Sequence, residues 1–226
     1  MSLHFHREIE GIKKKMLALS AIVEEGLRTA IRSIMTDDRG LAEQVIANDT
    51  EIDAMEIAIE EECLKILALY QPVAGDLRFI VSVLKMNNDL ERIGDLATNI
   101  AEHAFEISDA KPVRIPPELS TMTDKAAAMV KMSLDALVEQ DAAQAQRVCI
   151  IDDEVDELNR LLSRRVKDEI RAHPENLDPM LALLGVARHL ERVADHATNI
   201  AEDVVYLVQG TIIRHGGKEV CSGQGK

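Results

Sequence analysis

Aromatic residues are scarce in this sequence of 226 residues: they make up 2% of the chain, and tryptophan is absent. Strands rely on aromatic and β-branched side chains, whereas the Ala, Leu, Ile, Met and Glu that dominate here favour helices. The composition therefore predicts an all-α protein. The length allows one large domain or two small ones, each with an adequate core.

Basic residues, cysteines and long apolar runs are also few. The formal net charge of -14 disfavours nucleic acid as a partner, because such binding depends on clustered Lys and Arg. Cys63, Cys149 and Cys221 show no CxxC spacing, so neither a disulfide framework nor a thiolate zinc site is indicated. No segment has the length of a bilayer span or the apolar core of a signal peptide. We expect a cytoplasmic protein that binds no nucleic acid and does not insert into a membrane.

An internal repeat organises the chain. The segment LERIGDLATNIAE at 90–102 recurs as LERVADHATNIAE at 190–202, and a match of this length indicates a duplication, which decides the architecture. Within each copy, apolar residues return at steps of three and four, which predicts three amphipathic helices. We expect two tandem three-helix bundles related by pseudo-twofold symmetry. The boundaries are 1–110 for the first bundle, 111–217 for the second and 218–226 for a flexible tail.

Turn-forming residues mark the breaks between these helices, at 36–40, 72–76, 111–117 and 139–141. Pro174 is expected to stop the fifth helix. Asp178 offers an N-cap for the sixth, followed by Pro179 at the first helical position. Gly210 and the glycine pair at 216–217 are expected to end it.

Carboxylates share one face of the third and sixth predicted helices. At 100° per residue, Glu91 and Asp95 lie about 40° apart on the helical wheel, opposite a stripe of apolar residues. The second and fifth helices add pairs at the same i,i+4 spacing. The set of predicted metal ligands therefore comprises Glu91, Asp95, Asp49 and Asp53 in the first copy, and Glu191, Asp195, Asp152 and Asp156 in the second. Like charges at this spacing destabilise a helix by roughly 0.2–0.5 kcal/mol per pair, so a cation should offset them. Oxygen-rich clusters suit hard metal ions.

Two other interpretations of these acidic faces stay open. One is a solvated surface neutralised by neighbours such as Arg92 and Arg192. The other is a carboxylate-metal enzyme on a helical bundle, either a phosphohydrolase or an oxidase. An enzyme would need a positioned base, and the only candidates in the sequence are the flanking histidines His103, His189 and His196. Because each is a lone side chain on a helix surface, we expect these histidines to be solvated. No Glu-x-x-His pair, Gly-rich phosphate loop, GxSxG or HExxH occurs.

The duplicated motif resembles the PhoU family, whose members are associated with the phosphate-specific ABC transporter and its two-component signalling. QPVAGDLR at 71–78 and IRHGG at 213–217 also resemble family segments, and the resemblance runs from about Phe5 to Gly217. It implies two three-helix bundles side by side. It also implies clusters of divalent or trivalent metal ions (iron, Mn, Mg or Zn) on E/D-xxx-D motifs, which here are 91–95, 191–195, 49–53 and 152–156.

The resemblance further implies a regulatory adaptor rather than an enzyme, one that restrains phosphate uptake and keeps phosphate-starvation signalling off when phosphate is abundant. Its expected partners are subunits of the phosphate ABC transporter and a phosphate-sensing histidine kinase, which would bring it to the inner face of the membrane. We also expect a homodimer, because closed twofold pairing is the commonest oligomer and an apolar stretch lies on the acidic side of the wheel: Leu77, Leu84, Leu177 and Leu184.

Overall fold

A computed structural model describes residues 3–109 and 113–210. These residues form six long α-helices, with a 3-10 helix (Pro174–Asn176) between the last two. The α-helices are α1 (Leu3–Thr36), α2 (Arg39–Tyr70), α3 (Ala74–Asp109), α4 (Pro117–Glu139), α5 (Ala142–Ala172) and α6 (Leu177–Gln209). No strand occurs within the described ranges, and the all-α prediction is confirmed.

Aspartates begin the second helix of each copy. The Asp38 carboxylate accepts a hydrogen bond from the backbone N–H of Leu41 at 3.3 Å and caps α2. The Asp141 carboxylate accepts from the backbone N–H groups of Ala143 and Gln144 at 2.9 and 3.1 Å and caps α5. Each bond satisfies an amide that lacks a partner within its helix. The predicted breaks between the first and second helices of each copy are therefore confirmed.

The start of α6 differs from the prediction. The helix begins at Leu177, and Asp178 lies inside its first turn instead of capping it. The 3-10 helix at 174–176 brings the chain into α6, and an acidic side chain in the first turn favours the helix dipole. Gly210 ends α6 in the left-handed conformation as expected, with its N–H bonded to the Tyr206 carbonyl oxygen at 2.8 Å. The glycine pair at 216–217 and the tail at 218–226 lie outside the described residues.

Each sequence copy forms its own group of helices. Helices α1, α2 and α3 pack on one another, as do α4, α5 and α6, while α3 packs along α6 and α1 meets α4. The predicted core stripe of α3 is buried throughout: Leu90, Ile93, Ala97, Ile100, Ala101 and Ala104. No helix in the described ranges is long and apolar enough to cross a membrane.

Helices α3 and α6 run antiparallel about a pseudo-twofold axis. Lys85 Nζ lies 3.0 Å from Asp203 Oδ1, and the pseudo-equivalent pair, Gly185 and His103, also meets across the interface. The repeat offset of one hundred relates the two contacts, because position 85 corresponds to 185 and position 203 corresponds to 103. The interface between the copies thus follows the symmetry of the repeat, although the side chains at its two halves differ.

Candidate functional site

Four of the predicted ligands come together between α2 and α3, and we call them the first acidic face: Asp49, Asp53, Glu91 and Asp95. Burial raises the pKa of Asp49, and the negative charges of Asp53 and Asp95 raise it further. Thr98 opposes this rise, because its hydroxyl donates a hydrogen bond to Asp49 Oδ1 at 3.1 Å. The carboxylates of the two helices are therefore close enough to influence one another's ionisation.

Glu91 has the least satisfied carboxylate of this face. Burial raises its pKa, and the charges of Asp95, Asp53 and Glu56 add to that rise while Arg92 opposes it. Its Oε2 atom is buried and has no hydrogen-bond partner among the described residues. The Arg92 Nε atom is 3.6 Å away, beyond hydrogen-bond distance, and Arg92 Nη1 lies 3.5 Å from Asp95 Oδ2. An unsatisfied buried carboxylate oxygen favours a bound cation.

Glu56 extends the first acidic face and is not among the ligands predicted from the sequence. It lies three residues after Asp53 on α2, and its pKa is raised by burial and by the charges of Glu60 and Asp53. The Asn87 side-chain amide holds it, donating to the Glu56 carbonyl oxygen at 2.9 Å and to Oε1 at 3.2 Å. Extending the Asp49 and Asp53 stripe by one more turn would have found it.

Three predicted ligands form the second acidic face between α5 and α6: Asp156, Glu191 and Asp195. Burial raises the pKa of Asp195, the charges of Glu191 and Asp156 raise it further, and His196 and Arg192 oppose this. Although Asp195 is an exposed residue, the protein around its carboxyl still removes part of its hydration. Asp152 lies one turn before Asp156 and is half-buried, but it is not among the charges that shift Asp195.

The second acidic face carries less uncompensated charge than the first. Asn159 stands at the position equivalent to Glu56, and its amide donates to Glu191 Oε2 at 2.7 Å. Arg160 Nη2 lies 2.9 Å from Asp156 Oδ2. On the second face Asn159 and Arg160 thus already pair with carboxylate oxygens. On the first face the position of Asn159 is taken by an acidic residue, and Glu91 Oε2 has no hydrogen-bond partner among the described residues. A bound cation would have more to offset on the first face.

The donor chemistry of both faces fits a hard cation, because every predicted ligand is a carboxylate. Within residues 3–109 and 113–210, however, no three His, Cys, Asp or Glu side chains converge on one point as metal ligands do. Rotation of the carboxylates toward a common point would be needed for a complete oxygen shell. Among the predicted ligands in the described part of the chain, Glu91 Oε2 is the buried oxygen that lacks a hydrogen-bond partner.

The three histidines are less solvated than we expect of lone side chains on a helix surface. His103, His189 and His196 are half-buried where α3 and α6 meet. His196 Nδ1 lies 2.8 Å from Asp89 Oδ1, and His103 Nδ1 lies 3.0 Å from Glu106 Oε2. Burial is the main cause that lowers the pKa of His189. A helical wheel shows which residues share a face of one helix, but it does not show that a helix of the other copy covers that face.

Comparison with known proteins gives consistent results over most of the chain. The sequence model of the PhoU domain matches residues 16–104 and 119–204. A phosphate-specific transport system accessory protein PhoU homolog from Pseudomonas putida is 38% identical over 218 residues, which is 96% of this chain and 85% of that protein. The PhoU homolog 1 of Thermotoga maritima is 36% identical over 222 residues, covering 98% and 96% of the two chains.

Solved structures agree with the sequence matches. The crystal structure of PhoU from Pseudomonas aeruginosa superposes with a TM-score of 0.88 at 38% identity, covering 92% of this chain and all of that one. The phosphate transport system regulatory protein PhoU from Streptococcus pneumoniae gives a TM-score of 0.86 at 29% identity, with 92% and 98% covered.

Proposed function

The chain belongs to the PhoU family, and from that premise we propose that it is an accessory protein of a phosphate-specific transport system. Similarity across nearly its full length, to relatives with that name, is the observation that carries the proposal. Those relatives are named as accessory or regulatory proteins rather than as enzymes, and this protein is likewise not an enzyme.

We propose further that the protein works as an adaptor. It restrains the phosphate ABC transporter and keeps a phosphate-sensing histidine kinase inactive when phosphate is abundant, acting in the cytoplasm and at the inner face of the membrane through these partners. Exposed apolar side chains on α2 support a docking role, since Ile57 is 53% exposed and Leu64, about two turns further along the same helix, is 52% exposed. The net charge of -14 favours basic partner surfaces.

We propose that metal ions occupy the acidic faces. On the first face Glu91, Asp95, Asp49 and Asp53 would hold the ion, and on the second Glu191, Asp195, Asp152 and Asp156. The raised pKa values of Asp49, Glu91 and Asp195 support this, because burial and, after it, neighbouring negative charges make the ionised forms of these carboxylates costly, and a bound cation would offset that cost. A bound ion would supply that charge and would change the surface offered to a partner. Iron, Mn, Mg and Zn are the candidate metals.

The proposal can be tested by deleting the gene in its host and restoring it on a plasmid. We expect deletion to raise phosphate uptake and to switch on a phosphate-starvation reporter in phosphate-rich medium. The wild-type chain should restore both to normal, whereas the Glu91→Gln/Asp95→Asn variant should restore them only in part. Radiolabelled phosphate uptake and reporter activity are the measurements.

The matched control is Glu51→Gln, which removes one charge from an exposed residue of α2 between Asp49 and Asp53. This variant should restore regulation fully. If deletion leaves both uptake and reporter unchanged, the adaptor function is wrong. If regulation is restored equally by wild type and by Glu91→Gln/Asp95→Asn at equal abundance, the adaptor function stands but the first acidic face is not part of it.

A further inference from the structure

A histidine pair lies between α3 and α6, apart from the acidic faces. The ring centroids of His103 and His189 are 5.4 Å apart, and the ring planes are tilted by 32°. Two imidazoles bound to one tetrahedral Zn²⁺ at about 2.0 Å per nitrogen would place their centroids about 5 Å apart. The separation of the rings therefore matches that of two ligands of one ion.

Glu106 prepares His103 for such a role. The Nδ1 atom of His103 lies 3.0 Å from Glu106 Oε2. An ionised carboxylate only accepts hydrogen bonds, so in the neutral imidazole Nδ1 carries the proton and Nε2 keeps its lone pair. Histidines that bind metals nearly always donate their second ring N–H to a carboxylate, a carbonyl or water in this way.

His189 contributes an unsatisfied nitrogen. Its Nδ1 atom is buried and has no hydrogen-bond partner among the described residues. A buried polar atom without a partner loses its hydration without compensation, so a ligand that meets this atom would stabilise the interface. His189 lies on the same face of α6 as Gly185, which is one turn earlier. Side chains of a helix tilt toward its N-terminus, so the His189 ring leans toward Gly185.

Gly185 makes room for the His103 ring. A Cβ atom added at Gly185 would lie 2.8 Å from His103 Cε1 and closer still to Nε2, so no other residue fits there without moving the ring. At the pseudo-equivalent place, Lys85 replaces the glycine and its ammonium contacts Asp203 at 3.0 Å. One half of the interface thus contains a cation of the protein itself, and the other half presents two ring nitrogens.

We propose that His103 and His189 bind a single transition-metal ion of the Zn²⁺ class between α3 and α6. Glu106 orients His103 through its hydrogen bond, and water completes the coordination, since no three His, Cys, Asp or Glu side chains converge within the described ranges. Imidazole nitrogen suits Zn²⁺, Cu²⁺, Fe²⁺ and Ni²⁺, whereas carboxylates suit hard cations such as Mg²⁺ and Mn²⁺. Because its two ligands come from different copies, the ion would link the two bundles.

Calorimetric titration of the metal-stripped full-length chain with Zn²⁺, in excess Mg²⁺, tests the proposal. We expect one equivalent to bind, and at least tenfold weaker affinity in His103→Gln and in His189→Gln. Gly185→Ala should weaken the same event, because the added Cβ displaces His103 without removing a ligand. His173→Gln, a change at an exposed histidine after α5, should leave the affinity unchanged. Glu91→Gln/Asp95→Asn should also keep this event, which separates it from metal binding at the acidic faces.

The result that would overturn the proposal is a wild-type chain that binds no Zn²⁺, or one whose Zn²⁺ affinity is the same in His103→Gln and His189→Gln. A measurement on the wild type alone guards against variants that fold poorly. Zn²⁺ should shift the imidazole ¹⁵N resonances of His103 and His189 and leave those of His173 in place. If the two interface histidines do not shift, the site does not exist.

Discussion

Glu91 is the residue in which burial, like charge and an unsatisfied atom coincide. Its Oε2 atom is buried without a hydrogen bond, and Asp95 adds a negative charge one turn along α3. Arg92 opposes these effects, but its guanidinium is half-exposed and lies at 3.6 Å, so solvent screens much of its attraction. We therefore expect Glu91 to contribute most to the pH response of the first acidic face and, on the proposal that a metal ion binds there, to the response to that ion.

The free energy of unfolding of the metal-free protein should depend on Glu91 in a defined direction. The folded-state pKa of Glu91 is raised, so the folded chain holds this proton more tightly than the unfolded chain, and stability is lost as pH rises through the folded pKa. Glu91→Gln removes that loss. In chelator at neutral pH the variant should be more stable than wild type, by about 0.2–0.5 kcal/mol for its i,i+4 repulsion with Asp95 alone. The difference should shrink below the unfolded pKa of about 4.3. Urea unfolding at a series of pH values measures it.

Adding Mn²⁺ should reverse this order at neutral pH, because an ion that binds only the folded wild type stabilises it by mass action. Glu51→Gln, at an exposed position on α2, provides the control and should show neither the gain in chelator nor the reversal. A Glu91→Gln variant that is less stable than wild type in chelator would show that the carboxylate is satisfied in the folded protein. Equal stabilisation of both proteins by Mn²⁺ would place the ion elsewhere.

At the scale of the helices, periodicity predicted the number, order and core stripe of the elements, because each amphipathic helix carries its own pattern. It also placed Glu91 and Asp95 on one face, since that depends only on 3.6 residues per turn. Periodicity could not show which neighbouring helix covers the side of α3 next to the acidic face. The half-buried His103 and the contact of His196 with Asp89 depend on how α3 meets α6, and that contact joins residues 107 positions apart in sequence. The start of α6 was misplaced because the 3-10 helix before it has no periodicity of its own.

The approach of α2 to α3 shows the same dependence on packing. A Cβ atom added at Gly94 would lie 3.0 Å from Ile52 Cδ1 and 3.1 Å from Cγ2, closer than ordinary contact. In the second copy the equivalent residues are Ala194 and Val155, both buried. A larger residue at one position thus accompanies a smaller one at the other. The difference between Gly94 and Ala194 is by itself a mild change within a helix. It is accompanied by the opposite change in size between Ile52, which packs against Gly94, and the equivalent Val155.

This pairing predicts coupling between Gly94 and Ile52. Gly94→Ala gains about 1 kcal/mol of helix propensity but crowds Ile52, and overpacking a core costs about 1–3 kcal/mol. Ile52→Val removes Cδ1, the nearer of the two crowded methyl groups, and keeps Cγ2. We expect the Gly94→Ala change to be more favourable by at least about 0.5 kcal/mol in the Ile52→Val background than in wild type, as a double-mutant cycle of unfolding free energies would measure. Additive effects would show that Ile52 moves aside without strain.

At the scale of the whole molecule, the antiparallel pairing of α3 and α6 separates residues that the helical wheel groups together. Leu77 and Leu177 are 40% and 44% exposed, whereas Leu84 and Leu184 pack partly against the core. Each exposed leucine lies in the first turn of its helix, so the two are about 50 Å apart along the antiparallel axes at 1.5 Å per residue. The predicted apolar stretch is therefore two patches at opposite ends of the interface between the copies.

The two patches make the homodimer prediction specific. A closed twofold dimer can pair one patch with its own copy, or it can pair each patch with the other patch of the partner, because residue i then contacts j while j contacts i. We expect light scattering at micromolar concentration to give twice the mass of the chain, and at least one of Leu77→Asp and Leu177→Asp to reduce it to a single chain. Leu64→Asp, at a 52% exposed leucine of α2, should leave the dimer intact. A monomeric wild type would refute the prediction. Loss of association in both variants would mean that each patch contacts the other patch of the partner, and an unchanged mass in both would place the dimer contact elsewhere.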